Sequence, residues 1–503
     1  MLVDRALVPS WQHRCVDLLR TEHDVAVLER PAVAAREGVL ARVLRALGGS
    51  ALRTAPIVCG GTVSPGVDVV VDLRESAGPR EPALASRFGE WYFSDQFGRP
   101  LTQFPAAADI ARGSATFTIL LCRRQGGGKA AVIRRGRFKT LYTYARTLEI
   151  ALGECARWPL ERLKGGAAAG AAAPLLRETS ARRVTFSILG FAYQQCKTLA
   201  IHVFNYFLTD AVWRVGVVHA PPAAFLNPDF APPIRWIERE AAEFLADPFV
   251  LAAGGHAWLL TESLDRKSRN GYISCTEILP DWQTRERTTV LRSATHLSYP
   301  YAFAHRGEWY VVPESAAENR VSLYKIVDMP HGWERVATLL DGVPACDSTI
   351  FQYGGRWWLF CTLRSRDANL NLFAYHAEHL FGPWCEHAAN PIKTDIGSAR
   401  PAGAPFTFKG QLYRPAQDSS IAYGDRIVIC RIVTLSPTEF AEETVASYGG
   451  SRGRIFRTGN HTLSHTGSTS VIDAKQTVFA SPRVVMDRAV QSYRRLRLRF
   501  HGG

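Results

Sequence analysis

The 503-residue sequence has no closely spaced cysteine pair and no cysteine–histidine spacing of the kind that holds a structural zinc ion. Its ten cysteines are scattered along the chain. This pattern predicts reduced thiols and a cytoplasmic protein rather than a disulfide-stabilised secreted one. Residues 1–5 are not followed by the long apolar segment of a signal peptide, so none is predicted.

Long uninterrupted apolar runs are also lacking. A membrane-spanning helix needs roughly 20 nearly continuous apolar residues. The most apolar stretch, residues 186–218, predicts a buried or interfacial helix instead, because five polar or charged residues interrupt it: Gln194, Gln195, Lys197, Asp210 and Arg214. Motifs for nucleic-acid recognition and spacings typical of metal ligands are missing as well, so we predict neither a nucleic-acid partner nor a metal site.

Positive charge is plentiful, since the formal net charge is +14. Part of it lies in residues 481–503, which carry Arg483, Arg488, Arg494, Arg495, Arg497 and Arg499. Two interpretations of this basic tail stay open. It is either a solvated, partly disordered end, or a segment that attracts an anionic membrane surface or a phosphorylated substrate and makes the protein membrane-peripheral.

Residues 1–160 alternate between helical and strand patterns. Helices are predicted at 11–20 and 34–47, strands at 24–28 and 67–73, and a β pair at 116–122 and 130–133. This alternation is typical of a doubly wound, Rossmann-like α/β sheet whose first strand is short or missing. Residues 161–230 are predicted to connect domains, because 165–174 (GGAAAGAAAP) is of low complexity and 180–225 is apolar.

The second half of the chain contains four similar stretches that begin at Asp247, Tyr299, Asp347 and Arg400. Successive starts are 52, 48 and 53 residues apart, and a glycine follows each start after 8, 8, 8 and 10 positions. Aromatic-rich repeats of this length around a Gly turn predict a β-propeller. We expect five blades within residues 231–480, with the fifth formed by residues 426–433 and 462–479.

Equivalent positions of successive propeller blades converge on one axis, so the four starts are candidates for the floor of a site. A second ring is predicted from Glu262, Glu314, Gln417 and Asp418, and His296 and His461 are candidates to bind substrate hydroxyls. Two carboxylates and an arginine around a small cavity can perform acid–base or glycosyl-transfer chemistry. The alternative is structural, because such acids also cap turns or join neighbouring blades.

Short motifs from residue 244 to about 473 carry a family resemblance. They include Ala246-Asp247-Pro248-Phe249, Asp347-Ser348-Thr349, Arg400-Pro401-Ala402-Gly403, Gln417-Asp418 and His461-Thr462-Leu463. This region resembles the N-terminal domain of plant glucosamine inositolphosphorylceramide transferases and their bacterial relatives. That domain is similar in turn to five-bladed propeller glycosidases such as arabinanases, β-xylosidases and invertases.

The resemblance implies roles for three carboxyl groups. Asp247 matches the base or nucleophile of the glycosidases, and Asp347 matches the aspartate that tunes the pKa of the acid. Glu314 is the candidate acid, although it precedes Asp347 in the chain and so departs from the glycosidase order. The plant enzymes carry a separate C-terminal glycosyltransferase domain that this sequence does not include, so the family name does not transfer as an activity.

Residues 1–160 resemble 10-formyltetrahydrofolate-dependent formyltransferases, on segments 9–12 (PSWQ), 89–93 (GEWYF) and 156–159 (ARWP). The His-Pro-Ser-Leu-Leu-Pro-like segment that formyl transfer needs is missing, and residues 126–129 (GGGK) lack the spacing of a phosphate loop. The resemblance implies a degenerate domain kept for binding or scaffolding, for which folate is not an expected cofactor.

Together these patterns predict a multidomain protein, with a Rossmann-like formyltransferase-type α/β domain followed by an all-β five-bladed propeller. The expected function is glycosyl transfer in envelope polysaccharide or glycolipid assembly, on a carbohydrate or sugar-nucleotide substrate. Asp247, Asp347 and Glu314 are the predicted catalytic groups, Arg400 would hold an anion, and Tyr299 would shape the site. Three alternatives remain: a glycoside hydrolase, a non-catalytic sugar-binding or scaffold module, and formyl transfer to an amino sugar by residues 1–160.

Overall fold

The computed structural model describes residues 2–3, 7–29, 44, 46–52, 54–56, 67–73, 86–98, 101, 104–124, 130–165, 173–174, 187–237, 244–264, 270–280, 282–450 and 458–501. The chain divides into two compact units, Met1–Val203 and Phe204–Gly503. Most of the predicted low-complexity linker and of the predicted helix at 34–47 lies outside the described residues.

The first unit contains a mixed sheet with the strand order β8-β7-β6-β5-β1-β3. Strands β1, β3, β5 and β6 pair in parallel, whereas β6, β7, β8 and β9 pair antiparallel. A separate antiparallel pair joins β2 to β4. The bounds are β1 (Leu2–Val3), β2 (Leu7–Pro9), β3 (Leu28–Glu29), β4 (Thr54–Pro56), β5 (Val70–Asp72), β6 (Glu90–Asp95), β7 (Thr116–Arg124), β8 (Ala131–Lys139) and β9 (Ala173–Pro174).

Strands β1, β3, β5 and β6 pair in parallel, as in a doubly wound sheet, whereas β7 and β8 add an antiparallel part, and the Rossmann-like domain stays a prediction. The connection between β7 and β8 is six residues long, which allows a hairpin but not the crossover that parallel strands need. The predicted β pair at this place is confirmed, and the first strand, β1, is short. The described helices of this unit that precede residue 187 are α1 (Ser10–Arg20), α2 (Ala107–Ala111), α3 (Tyr144–Cys155) and α4 (Trp158–Lys164).

Helix α1 shows why these segments pack as they do. It buries Trp11, Cys15, Val16 and Leu19, which recur at helical spacing and so lie on one face. Trp11 meets Phe93 of β6 edge to face, with 5.4 Å between the ring centres. Short 3₁₀ helices occur in both units, at Gly49–Leu52, Pro222–Leu226, Ala316–Glu318 and Arg364–Arg366.

Helix α5 (Ile188–Leu208) leads from the first unit into β10 (Thr209–Val218) and β11 (Ile234–Trp236) of the second. Two antiparallel four-stranded sheets of consecutive strands follow. The first sheet contains β12 (Leu245–Ala253), β13 (His256–Leu264), β14 (Gly271–Ile278) and β15 (Thr288–Leu291). The second sheet contains β16 (Ser298–His305), β17 (Glu308–Glu314), β18 (Arg320–Asp328) and β19 (Gly332–Asp341).

The third and fourth sheets repeat this arrangement. In the third, β20 (Ala345–Tyr353), β21 (Arg356–Leu363) and β22 (Asn371–Ala377) pair in turn, and both β23 (Cys385–Glu386) and β24 (Lys393–Asp395) pair with β22. The fourth sheet contains β25 (Phe406–Phe408), β26 (Gln411–Asp418), β27 (Arg426–Leu435) and β28 (Phe440–Tyr448). The unit is therefore mostly β structure in a propeller-like arrangement.

The remaining strands combine both ends of the unit in what we call the closing sheet. Here β10 pairs with β11 and, over ten residue pairs, with β31 (Thr469–Phe479), which also pairs with β29 (Thr458–Gly459) and β30 (Leu463–Thr466). The predicted count of five equivalent blades is wrong, since four sheets are built from consecutive strands. Residues 426–433 belong to the fourth of these, and residues 462–479 contribute to the closing sheet.

Three of the four repeat starts share one backbone conformation. Asp247, Tyr299 and Asp347 have φ values of 50°, 43° and 51°. Each lies where the pairing of its strand shifts register, which is the mark of a β-bulge. Such left-handed residues other than glycine cost energy and concentrate at functional sites. Arg400 does not share this conformation; its carbonyl accepts the N–H of Gln417 at 2.8 Å, ahead of β25.

A buried ion triad lies in the fourth sheet and its surroundings. Glu442 accepts hydrogen bonds from Arg414 Nε and Lys393 Nζ, both at 2.6 Å. Burial raises the pKa of Glu442, but Arg414 and Lys393 outweigh this effect and lower it to about 2. The triad therefore joins β28 by charge to β26 and β24, two strands with which it does not pair.

The basic tail forms helix α6 (Pro482–His501) rather than a disordered end. Its Arg488 donates hydrogen bonds to the backbone oxygens of Tyr206 and Thr209, at 2.8 and 2.6 Å. No helix in the part of the chain that the structure describes is both long and apolar enough to cross a membrane.

Candidate active site

The repeat starts converge through their backbone N–H groups. Each of the three left-handed residues donates its N–H to a carboxylate outside its own sheet: Asp247 to Asp473 at 3.3 Å, Tyr299 to Asp247 at 3.2 Å, and Asp347 to Glu314 at 3.0 Å. The bulges therefore link the closing sheet to the first, the first to the second, and the second to the third. Convergence of these positions, predicted from the repeat, is confirmed.

Tyr299 joins several sheets rather than facing a ligand. Its side chain is completely buried among Phe249 and Tyr301. The hydroxyl group shares a hydrogen bond with Thr349 Oγ1 at 2.9 Å and accepts the N–H of Gly403 at 2.7 Å. The side chain of Tyr299 therefore connects β16 to β20 and to the segment that contains Gly403.

Asp347 is held by an arginine and an amide. Arg400 donates from Nε to Oδ2 at 2.5 Å and from Nη2 to Oδ1 at 3.2 Å, which makes a two-pronged ion pair. Gln417 Nε2 donates to Asp347 Oδ2 at 2.9 Å. Arg400 Nη1 lies 3.4 Å from Asn369 Oδ1. Because these partners already engage its guanidinium group, Arg400 is placed to fix Asp347 rather than to hold a substrate anion.

Glu314 lies against the same ion pair. Its Oε2 accepts the N–H of Asp347 and is 3.9 Å from Arg400 Nη2. Burial, and after it the charge of Asp347, raises the pKa of Glu314 well above its usual value, while Arg400 opposes the rise. A carboxyl group in this setting holds its proton more tightly than an exposed glutamate does, which suits a group that donates a proton.

A second group of acids surrounds His461. The imidazole is bonded through Nδ1 to Asp473, and its Nε2 is 3.6 Å from Asp247 Oδ1. Thr462 donates its hydroxyl to Asp247 Oδ1 at 2.8 Å. Burial lowers the pKa of His461, but Asp473 and Asp247 outweigh this effect and raise it. His461 is thus a buried imidazole between two acidic groups that favour its protonated form.

The pKa of Asp247 is raised, whereas the pKa of an ordinary ion-paired acid is lowered. Burial raises it, His461 lowers it, and the neighbouring acids Glu262, Asp347 and Asp473 raise it further, to about 7. Asp247 therefore exists in both protonation states near neutrality. That is the condition for a group that takes up a proton in one step and releases it in another.

Three further predicted residues lie around this centre. Glu262 pairs with His296 Nε2 at 3.1 Å, and the hydrogen bond to Glu262 outweighs burial and raises the pKa of His296. His296 is partly exposed and so lies on the outer side of the pair. Asp418 accepts the N–H of Ser420 at 2.9 Å and is 4.0 Å from Arg426, so it caps a turn beside the site.

Sequence reasoning missed four groups of the site. Asp473 and Thr462 lie in and beside the closing sheet, which has no repeat to mark them. Trp213 stacks on His461 with 4.1 Å between ring centres. Tyr423 covers Arg400 at 5.3 Å and meets His461 edge to face, although 44% of the tyrosine is exposed. A tyrosine in the loop after β26 gives no signal in the sequence alone.

The donor atoms of Asp247, His461 and Asp473 lie within 4.8 Å of one another, close enough to hold a metal ion. Their existing bonds fit an internal network better. Asp473 Oδ1 accepts the N–H groups of His461 and Thr462 at 2.8 and 3.1 Å, and Oδ2 faces the N–H of Asp247 and the imidazole. A cation would have to approach oxygens at which four donors already point.

The region that contains most of these groups, but not Trp213 or Asp473, is similar to known proteins. Residues 227–463 match the family described as "Glucosamine inositolphosphorylceramide transferase 1, N-terminal". The rice (Oryza sativa subsp. japonica) glucosamine inositolphosphorylceramide transferase 1 is 35% identical over 210 residues, which are 41% of this chain and 28% of the relative. The Arabidopsis thaliana protein of the same name is 34% identical over 211 residues, or 41% of this chain and 27% of the relative.

Among solved structures, the family 117 glycoside hydrolase Zg3597 of Zobellia galactanivorans aligns with a TM-score of 0.34 and 11% identity, over 54% of this chain and 91% of that one. The plant relatives extend well beyond the shared region, because the chain spans 28% of the length of the rice protein. The chain is therefore similar, over residues 227–463, to the N-terminal part of glucosamine inositolphosphorylceramide transferases.

Proposed function

We propose that the second unit is a carbohydrate-active enzyme that transfers a glycosyl group, with its active site at Asp247 and Glu314. The observation that carries the proposal is a cluster of acids around Arg400 and His461, in which Asp247, Asp347 and Asp473 are buried and Glu314 is 14% exposed. Burying charges is costly for folding. A cluster in which the pKa values of two acids are raised is a strong candidate for acid–base chemistry.

The two acids with raised pKa values take complementary roles. Asp247 accepts the proton of an acceptor hydroxyl, whose oxygen then forms the bond to the anomeric carbon. The bond between that carbon and the leaving oxygen breaks, and Glu314 gives its proton to the leaving oxygen. Asp247 ends protonated and Glu314 ionised, and proton exchange with solvent restores both. Arg400 and Gln417 hold the carboxyl group of Asp347 in place next to Glu314.

Transfer is favoured by the similarity to proteins named transferases, in the region that contains these residues. By that similarity, the acceptor would be a hydroxyl group of a glycolipid or envelope polysaccharide precursor and the donor an activated sugar. Because the chain spans a small part of the length of these relatives, donor and acceptor are proposals for this protein.

Hydrolysis of a glycoside is the second candidate, and Glu314 favours it. A nucleotide leaves a sugar as an anion and needs little help from an acid, whereas a sugar alcohol needs a proton as it leaves. Because its pKa is raised, Glu314 is suited to donate that proton. With water in place of the acceptor hydroxyl, Asp247 would act in the same way.

The test combines both reactions on the full chain. The protein is incubated with a panel of UDP- and GDP-sugars plus a soluble polyol acceptor, and with nitrophenyl glycosides, and products are identified by mass spectrometry. Asp247→Asn and Glu314→Gln should each lower turnover at least a hundredfold. The exposed Asp341→Asn is the matched control and should leave turnover unchanged.

The outcomes separate the candidates. A product extended by one sugar supports transfer, and release of free sugar from the nitrophenyl glycosides supports hydrolysis. Calorimetric binding of a sugar with no turnover on any donor would identify a binding module and refute the enzyme. Full activity of Asp247→Asn would remove this residue from the mechanism.

A further inference from the structure

The last residues of α5 and the first residues of α6 adjoin the same end of the β10–β31 ladder in the closing sheet. Helix α5 ends where β10 begins, and α6 starts just after β31 ends. Thr209 pairs with Phe479 at the last step of the β10–β31 ladder, and the N–H of Ala480 donates to the oxygen of Leu208 at 2.9 Å. The N-terminal end of α6 is thereby held next to the C-terminal end of α5.

Helix α6 contacts the rest of the second unit through its polar side. Arg488 donates to the oxygens of Tyr206 and Thr209 and, at 3.1 Å, to the carboxylate of Asp210. One turn on, Ser492 Oγ lies 3.4 Å from the hydroxyl of Tyr206. Positions four residues apart share one face of a helix. The face through Arg488 and Ser492 is therefore the inner one.

The apolar side of α6 points away from the protein. Met486, Val490 and Tyr493 follow one another at four- and three-residue spacing, and they are 65%, 42% and 66% exposed. An amphipathic helix of a globular protein normally buries such a stripe. Helix α5 likewise exposes its apolar side chains to a large extent. Among its described residues, Phe191 is the one hydrophobic residue that is buried. Its exposed apolar side chains include Leu189, Tyr193, Leu199, Ile201, Val203 and Leu208.

We propose that this helical surface, formed by the apolar stripe of α6 with Leu208 and the flanking Arg483 and Arg494, binds an anionic lipid membrane. An amphipathic helix with an apolar stripe and arginines beside it lies in the interface of a bilayer, with its stripe among the upper acyl chains. The sequence of α6 holds six arginines and one aspartate. A second copy of the chain would bring these arginines against one another, whereas anionic head groups neutralise them.

The surface differs from the active site in residues and in chemistry, so it can be tested apart from the proposed function. The full chain is mixed with vesicles of phosphatidylcholine alone or with 30% phosphatidylglycerol, and bound protein is measured by flotation. We expect at least tenfold stronger binding to the anionic vesicles at low salt, falling as salt is added. Arg483→Gln with Arg494→Gln should weaken it roughly 25-fold, about fivefold for each charge.

The apolar stripe has its own variant and control. Met486→Ser with Tyr493→Ser should weaken binding at least tenfold, because these side chains would no longer bury apolar area in the bilayer. Val327→Ser with Val433→Ser removes two apolar side chains that are also exposed, 58% and 56%, but lie on β18 and β27, and binding should not change. Equal binding to both vesicle types, or unchanged binding of the stripe variant, would overturn the proposal. So would a dimer of the free protein that the stripe variant loses.

Discussion

Replacing Asp247 by Asn should abolish turnover and, unusually for a buried polar residue, stabilise the protein at neutral and alkaline pH. The carboxyl group is 6% exposed and lies among Glu262, Asp347 and Asp473. Burial and these acids together move its pKa from the ordinary 3.8 to about 7. The folded protein therefore holds the proton more tightly than the unfolded chain does.

The sign and size follow from that difference. A raised pKa contributes stability that is complete below about pH 4 and is lost as the pH rises through 7. The loss corresponds to roughly 4 kcal/mol at pH 8. The bonds from Tyr299 N–H and Thr462 and the attraction to His461 favour the ionised form and are already included in this pKa, and asparagine, like the protonated acid, carries no charge. We expect a net gain of up to roughly 4 kcal/mol at pH 8 and little difference at pH 4.

The measurement is urea unfolding followed by tryptophan fluorescence at pH 4, 5, 6, 7 and 8. The control is Asp341→Asn, an exposed carboxyl on β19. Its unfolding free energy should follow that of the unchanged protein at every pH. If Asp247→Asn instead lost stability, with the loss growing as the pH rises, Asp247 would be an ionised partner of His461, and the assignment of a raised pKa would be refuted.

Three other predictions follow from buried groups. Glu442→Gln should lower the free energy of unfolding by roughly 3–5 kcal/mol at pH 7, because two buried cations lose their anion. In urea unfolding this loss should fade as the pH drops from 4.5 to about 2, where the unchanged Glu442 gains a proton. Gly403→Ala should cost more than roughly 3 kcal/mol in thermal unfolding, since a Cβ at φ 119° would lie 1.9 Å from a backbone oxygen; Gly410→Ala, at φ 74° with open space around it, should cost about 1 kcal/mol. His461→Gln should move the acidic limb of the pH–rate profile upward by roughly one pH unit, because the cation that lowers the pKa of Asp247 is gone; an unmoved limb would exclude this coupling.

The repeat template predicted the inner positions of the second unit because strand register is set locally. Asp247, Tyr299 and Asp347 each stand eight residues before a Gly turn, and all three adopt the same left-handed bulge. Arg400 stands ten residues before its glycine and does not. The sequence thus shows which start departs from the pattern, but the ion pair of Arg400 with Asp347 follows only from the packing of the third and fourth sheets.

The remainder of the site depends on contacts between distant parts of the chain. Asp473 bonds to the N–H of Asp247 across 226 residues. No local pattern around Asp473 distinguishes it from an ordinary acid in a strand, and His461 could be named only from its residue type. In the first unit, alternation of helices and strands indicated an α/β sheet, but strand direction depended on the short connection between β7 and β8.

The closing sheet determines where the second unit can be cut. Strand β10 precedes the region of family similarity, residues 227–463, and all of β31 follows it, yet these strands pair over ten residues. A fragment limited to 227–463 would lack Trp213 and Asp473, and of β30 it would keep only Leu463. A piece that keeps the closing sheet therefore runs from about residue 209 to 479. Since its first and last strands must meet, folding of this piece is expected to be slow and to finish only after the whole segment has been synthesised.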